Sequence, residues 1–156
     1  MTAIETLTAN VMTVAQQRQV VAELDALLAA TFETDSDKTL KKVLAEKLRL
    51  GTKDVIEEIL VVEKVGGDWQ KLKNLLESLK ANILSLPVAK LTLAFEPDLA
   101  FASEIATKLR EKFSAPLLLD LAFDPQILGG VALVYDGRIY DLTLASKLAH
   151  WQKQQA

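Results

Sequence analysis

Few side chains in this chain could do chemistry, and each has a plainer role. His150 is the sole histidine and could act as a base, yet it stands beside Trp151 with no Ser or Asp at triad-like sequence distance. The carboxylates Asp120, Asp124, Asp136 and Asp141 are numerous enough for paired acid–base work. Asp124 precedes Pro125 and Asp136 precedes Gly137, so turn formation accounts for both. Asp141 falls where a strand gives way to the last helix, a natural cap, and Asp120 lies on a strand face opposite leucines, where solvent would reach it. Gly129-Gly130 could cradle a phosphate only if it followed a strand and opened a helix. Here the pair follows a Pro turn and enters a strand, where glycine more often marks a bulge or a close approach of two backbones.

Composition removes further classes. The chain has no Cys and one His, so thiolate metal sites are excluded, and no calcium-type acidic loop is present. No metal and no cofactor is expected. The formal charge of −3 divides evenly: 11 basic and 13 acidic residues precede Pro87, and 7 and 8 follow it. Neither part offers the basic face that a nucleic acid requires. No run approaches the ~18 consecutive apolar residues of a membrane span, and the opening Met1-Thr2-Ala3-Ile4-Glu5 does not read as a secretion signal. The expectation is a soluble, intracellular chain.

The elements that must position these residues come in two kinds. Residues 1–86 read as helices throughout, making a bundle of four or five short ones. Ile4, Leu7, Val11, Val14, then Val21, Leu24 and Leu28 recur at helical spacing, as one long helix or two broken near Gln16-Gln17. Thr34-Asp35-Ser36-Asp37 supplies caps for a helix with the face Leu40, Val43, Leu44 and Leu48, and Gly51 stops it. Thr52 caps the next, with Val55, Ile56, Ile59 and Leu60, ending at Gly66-Gly67. Asp68 caps a stripe of Trp69, Leu72, Leu75, Leu76, Leu79, Ile83 and Leu84, closed by Ser85-Leu86-Pro87.

After Pro87 the period changes to two. Leu91, Leu93 and Phe95 share a strand face; Glu96-Pro97-Asp98 turns the chain into a helix with Phe101, Ile105, Leu109 and Phe113 on one side. Leu117, Leu119, Leu121 and Phe123 form a second strand face. Val131–Tyr135 and the residues after Asp136-Gly137 make a hairpin, since Asp-Gly suits the positive φ both central positions need. A helical tail runs from Leu142. The fold class is therefore α+β: a helical bundle over 1–86, then a small β-α-β-β-β-α domain over 87–156. At roughly 70 residues the second part is near the size where a core barely suffices, so it gains from a neighbour.

Asp124, Pro125, Ile127, Leu128, Gly129 and Gly130, followed by Gly137, Ile139, Asp141 and Leu148, carry a family resemblance. The chain resembles the delta subunit of F-type ATP synthases, whose mitochondrial counterpart is the oligomycin-sensitivity-conferring protein. That family has an Asp-Pro-x-hydrophobic-hydrophobic-Gly-Gly segment, a hairpin with Gly in its turn, and an Asp opening the final helix. The likeness spans about residues 88–152. Two departures stand out. Leu142-Thr143-Leu144-Ala145 follows Asp141 where relatives have Gly or Ser and a basic residue. The stretch before Pro87 is shorter than the family's six-helix bundle and lacks its usual Tyr-Ala-x-Ala-Leu opening.

The resemblance implies a non-catalytic stator subunit of a proton-translocating rotary ATP synthase, held at the cytoplasmic face of a bacterial plasma membrane through its complex. The helical part would take the N-terminal helix of an alpha subunit, the C-terminal part would grip the b-subunit stalk, and together they would resist rotor torque. Candidate contacts are Ile4, Leu7, Val11 and Val14 at one end and Leu142, Leu144, Leu148 and Trp151 at the other. Two other readings are weighed. An E-type stalk subunit of a vacuolar or archaeal ATPase would have one long charged helix, against which the caps at Thr34–Asp37, Gly51 and Gly66-Gly67 speak. A small ligand-binding domain would use Gly129-Gly130 and the nearby carboxylates.

Overall fold

The computed structural model describes residues 3–33, 56–57, 61 and 68–155. The elements expected from Thr34 to Val55, and the Gly66-Gly67 stop, lie outside these residues. The chain divides into two compact units, Met1–Val11 with Ala15–Leu86 and Met12–Val14 with Pro87–Ala156.

In the first unit the opening helical run is split, as α1 (Ala3–Asn10) and α2 (Val14–Glu33). The break falls at residues 11–13, and Gln16-Gln17 lies inside α2. That break rephases the second helix. Its buried stripe is Val20, Leu24 and Leu27 rather than Val21, Leu24 and Leu28, and it carries Glu23 inside. One oxygen of Glu23 accepts from Gln19 Nε2 at 3.3 Å, while Oε2 has no hydrogen-bond partner among the described residues.

Helix α3 (Trp69–Leu84) begins as expected, with Asp68 accepting from the N–H groups of Gln70 and Lys71 at 3.1 Å each. Leu72, Leu76, Leu79 and Ile83 are buried at spacings of four and three, so one face meets the core. Leu84, expected on that stripe, points out. At the far end the side-chain amide of Gln17 donates to the Ile83 carbonyl at 2.8 Å, which satisfies one of the acceptors that a helix end leaves open.

The second unit is the β-α-β-β-β-α arrangement. Its strands are β1 (Val88–Leu93), β2 (Leu118–Phe123), β3 (Val131–Tyr135) and β4 (Arg138–Asp141), in the order β2-β1-β3-β4. β1 and β2 are parallel and are joined through α4 (Leu99–Phe113); the β1–β3 and β3–β4 pairs are antiparallel. Helix α5 (Leu144–Gln155) follows β4.

One sheet face supplies Ala89, Leu91, Leu93, Leu117, Leu119 and Leu133 to the core, and α4 covers it with Ala106, Phe101, Ile105, Leu109 and Phe113. Asp98 caps α4 by accepting from the Phe101 N–H at 2.7 Å. At the other end of α4 Arg110 Nε donates to the Leu117 carbonyl at 2.9 Å, tying the helix to the entrance of β2. The Phe113 ring lies 4.5 Å from that of Tyr135, centroid to centroid.

Phe95 and Phe123 depart from the sequence expectation. β1 ends at Leu93 and starts earlier than the leucine alternation suggests, and Phe95 lies beyond it, exposed, edge-on to Phe101 at 5.3 Å. Phe123 ends β2 and is also exposed. Conversely Leu118, on the Asp120 side of β2, is fully buried.

β2 is an outer strand, yet its outer edge is paired. Thr13 forms a parallel bridge with Leu119, and the Leu119 N–H donates to the Met12 carbonyl at 2.9 Å. Residues 12–14 thus act as a short added strand that covers open backbone groups.

Candidate partner-binding surface

The signature run from Asp124 to Asp141 builds one corner of the second unit. Asp124 accepts from the Gln126 N–H at 2.9 Å and so starts the expected Pro turn, a single 3₁₀ turn over Pro125–Ile127. Leu128 closes this turn in the left-handed region, φ 63°. The glycine pair then passes against the segment leading into α5. The Leu144 N–H donates to the Gly129 carbonyl at 3.0 Å, and the Leu144 side chain rests over Gly129.

Gly130 leaves no space at all. A Cβ there would stand 2.2 Å from the Leu142 carbonyl oxygen and 3.1 Å from Thr143 Cα. The pair is therefore a close approach of two backbones, Gly130 against Leu142 and Thr143. The hairpin turn has positive φ at both Asp136 and Gly137, as Asp-Gly turns require.

The start of α5 corrects the expected cap. Asp141 is the last residue of β4, and the residue before the helix is Thr143, whose hydroxyl oxygen accepts from the Ser146 N–H at 3.1 Å. Asp141 works one step back. Its carboxylate accepts from the Thr143 N–H at 3.0 Å and from the Thr143 hydroxyl at 2.8 Å, aligning that hydroxyl for the cap. Thr143 could have been found from its position ahead of a leucine-spaced helix, but Asp141 and Thr143 compete for the role in sequence and only geometry separates them.

These bonds, the backbone N–H of Thr143 first and its hydroxyl second, hold the Asp141 carboxyl below its ordinary value. A lowered folded-state value gives stability that is present above the unfolded carboxylate range, about 3.9, and is lost as pH falls through the folded value. Replacing Asp141 by Asn should therefore flatten the acid limb of stability below about pH 4. Urea denaturation of both proteins across pH 3–7 checks this; parallel curves would refute it.

No side chain of α5 is buried. Leu144, Leu148 and Trp151 stand at helical spacings of four and three and are all exposed, Leu148 at 47% and Trp151 at 58%, as are Leu142 just before the helix and Leu128 at the end of the 3₁₀ turn. A helix of twelve residues is marginal alone, and its stability normally comes from burying an apolar face. This one shows that face to solvent. At the other end of the chain Leu7 and Val11 are buried in the first unit, Val14 is half-buried, and the side chain of Ile4 lies outside the described residues.

Among the described residues no cluster of His, Cys, Asp or Glu could hold a metal ion, and no helix is long and apolar enough to cross a membrane. His150 is exposed on α5, its Nε2 3.1 Å from Gln154 Nε2. Asp120 is exposed on β2, and Asp124 and Asp141 are committed to N–H groups.

The sequence profile described as "ATP synthase delta (OSCP) subunit" matches residues 2–154. This chain belongs to the ATP synthase delta (OSCP) subunit family. Curated proteins named ATP synthase subunit delta are similar to it. The one from Maridesulfovibrio salexigens is 27% identical over 85% of this chain and 64% of its own length. The Francisella philomiragia protein is 25% identical over 74% and 64%, and the Cupriavidus metallidurans protein 26% identical over 89% and 79%. The chain thus spans less than two thirds, 64%, of the length of each of the first two relatives. A solved chain from the Toxoplasma gondii mitochondrial ATP synthase hexamer overlays with a TM-score of 0.39 at 16% identity, covering 87% of this chain and 96% of that one. The delta-family match reaches well beyond the signature corner, into the helical part where the sequence motifs are absent.

Proposed function

We propose that this chain is a non-catalytic peripheral-stalk subunit of a rotary ATP synthase, joining the catalytic head to the stalk and resisting the torque of the rotor. The observation that carries the reading is the delta-family match over residues 2–154. The uncovered apolar stripe of α5 supports it, because a mechanical linker needs slow dissociation and slow dissociation comes from apolar anchors. In this reading the second unit grips the b-type stalk through Leu144, Leu148 and Trp151, with Leu142 beside them. The first unit takes the N-terminal helix of an alpha subunit through the α1 region, where Ile4 is the candidate left once Leu7 and Val11 serve the core and Val14 falls to the second unit. The chain sits at the cytoplasmic face of a bacterial membrane only by way of its complex.

Co-purification with the head subunits and with the b-type stalk subunit tests the proposal. Retention of the stalk subunit by the second unit and of the head by the first is the expected result. Retention of neither ends the reading.

A further inference from the structure

The chain crosses between its two units three times. Met12–Val14 belongs to the second unit, although most of α1 before it and α2 after it belongs to the first, and the last crossing is at Leu86-Pro87. Successive helices of one bundle need only a short turn to join them. Here the connection instead leaves the first unit, adds a strand residue to the sheet of the second and returns.

This excursion is fastened along its length. Leu7 and Val11 before it, and Val20 and Leu24 after it, are buried residues of the first unit. Between them Met12 packs against the core of the second unit, which includes Leu117 and Leu119, and Thr13 is 7% exposed. The Leu119 N–H donates to the Met12 carbonyl at 2.9 Å, and the pairing of Thr13 with Leu119 is parallel. Thr13 is β-branched, the kind of residue that suits a strand.

Where the attachments meet the sheet decides what they can carry. The chain that crosses at Pro87 enters β1, and the Leu118 N–H donates to the Pro87 carbonyl at 2.8 Å. Thr13 sits on the outer edge of β2, which itself pairs with β1. Val88 pairs with Leu118 and Thr13 with Leu119, so both attachments lie at one end of the sheet, two strand spacings or about 10 Å apart. A single linker passes tension but little twist, because each residue turns about φ and ψ. Two attachments set apart by a lever arm pass both.

We propose that Met12–Val14 is a strand ligand of β2, supplied by the chain itself, that holds the two units to each other. Resting on the stator reading above, rotor torque then passes between the units through this strand as well as through the Leu86-Pro87 linker. The mode is strand addition to a sheet edge, in which main-chain hydrogen bonds supply the grip.

A protease site inserted between Leu86 and Pro87 of the full chain tests the holding. After complete cleavage the pieces 1–86 and 87–156 should leave a sizing column together. Thr13→Asp places a carboxylate where the side chain is buried and should weaken that retention about 100-fold or more. Met12→Gly combined with Thr13→Gly, which brings no charge inside, should also weaken it. Amide exchange on the uncut chain gives a reading that needs no cleavage. The Leu119 N–H should be protected, and should exchange about tenfold faster or more in the double-glycine variant, with Leu91 in β1 as the unaffected reference. Separation of the unaltered pieces, fast exchange at Leu119, or retention unchanged by both variants overturns the proposal. In the assembled synthase the double-glycine chain should keep head and stalk yet lose coupling between ATP hydrolysis and proton pumping. Full coupling overturns the torque path and leaves the strand in place. Failure of the unaltered chain to retain head or stalk ends the stator reading, a result distinct from the column and exchange outcomes.

Discussion

Gly130→Ala should cost about 3 kcal/mol or more and lower the melting midpoint by about 10 °C. Two effects add at this position. A Cβ would meet the Leu142 carbonyl oxygen at 2.2 Å, and that oxygen belongs to backbone, which cannot swing aside as a side chain can. The residue also has φ +75°, a region that costs an L side chain about 1–2 kcal/mol. Gly137→Ala isolates the second effect, since φ there is +70° and nothing lies within 4 Å of its Cβ position. The expected loss at Gly137 is about 1 kcal/mol. Equal losses at the two sites would show that the contact with Leu142 is not what makes Gly130 necessary. Chemical denaturation of the two variants side by side decides it. Because Gly130 abuts the segment that enters α5, its variant should also release that helix, seen as faster amide exchange over residues 144–155.

Trp151→Ala and Leu148→Asp should weaken binding of a b-type stalk segment by about 30-fold and 100-fold, leaving the fold intact. Truncating a central aromatic at an interface typically costs about 2 kcal/mol or more, and a carboxylate placed in a desolvated contact costs further because it lacks a partner. Leu148 is 47% and Trp151 58% exposed in the free chain, so its own stability should move by no more than about 0.5 kcal/mol. That separation is the informative part. A large fall in melting midpoint would mean that the tail is ordinary structure, and unaltered affinity would remove α5 from the contact. Titration of the full chain with the stalk segment, followed by calorimetry and paired with thermal melts, gives both readings.

Much of the second unit was legible because its signals are local. Alternating leucines mark a buried face in β1 and β2, Asp98 caps α4, and Asp136-Gly137 makes the hairpin turn. Each rests on backbone preferences that act within a few residues. The glycine pair was also readable as a close approach, since glycine entering a strand after a Pro turn has few other uses. The places where pattern misled are where a period continues past its element. Phe95 and Phe123 keep the phase of their strands, but the hydrogen-bonded register stops at Leu93 and Phe123, and both rings end up in solvent. In the first unit a break of three residues rephased α2 by one position and brought Glu23 inside, which no periodicity in the sequence reveals.

By itself, then, the order of residues determined the α+β class, the ends of α3 and α4, the hairpin and a structural use for glycine at the entrance to β3. Those follow from local propensity and from periods of 3.6 and 2. The tertiary structure alone decided that Met12 and Thr13 pair with β2 across more than a hundred residues of chain, and that Thr143 rather than Asp141 caps α5. It also decided that Leu7 and Val11 are buried while Leu128, Leu144, Leu148 and Trp151 are not. The reason is physical: spacing says which residues share a face, but whether that face is covered depends on what folds onto it, and that is set by contacts distant in sequence.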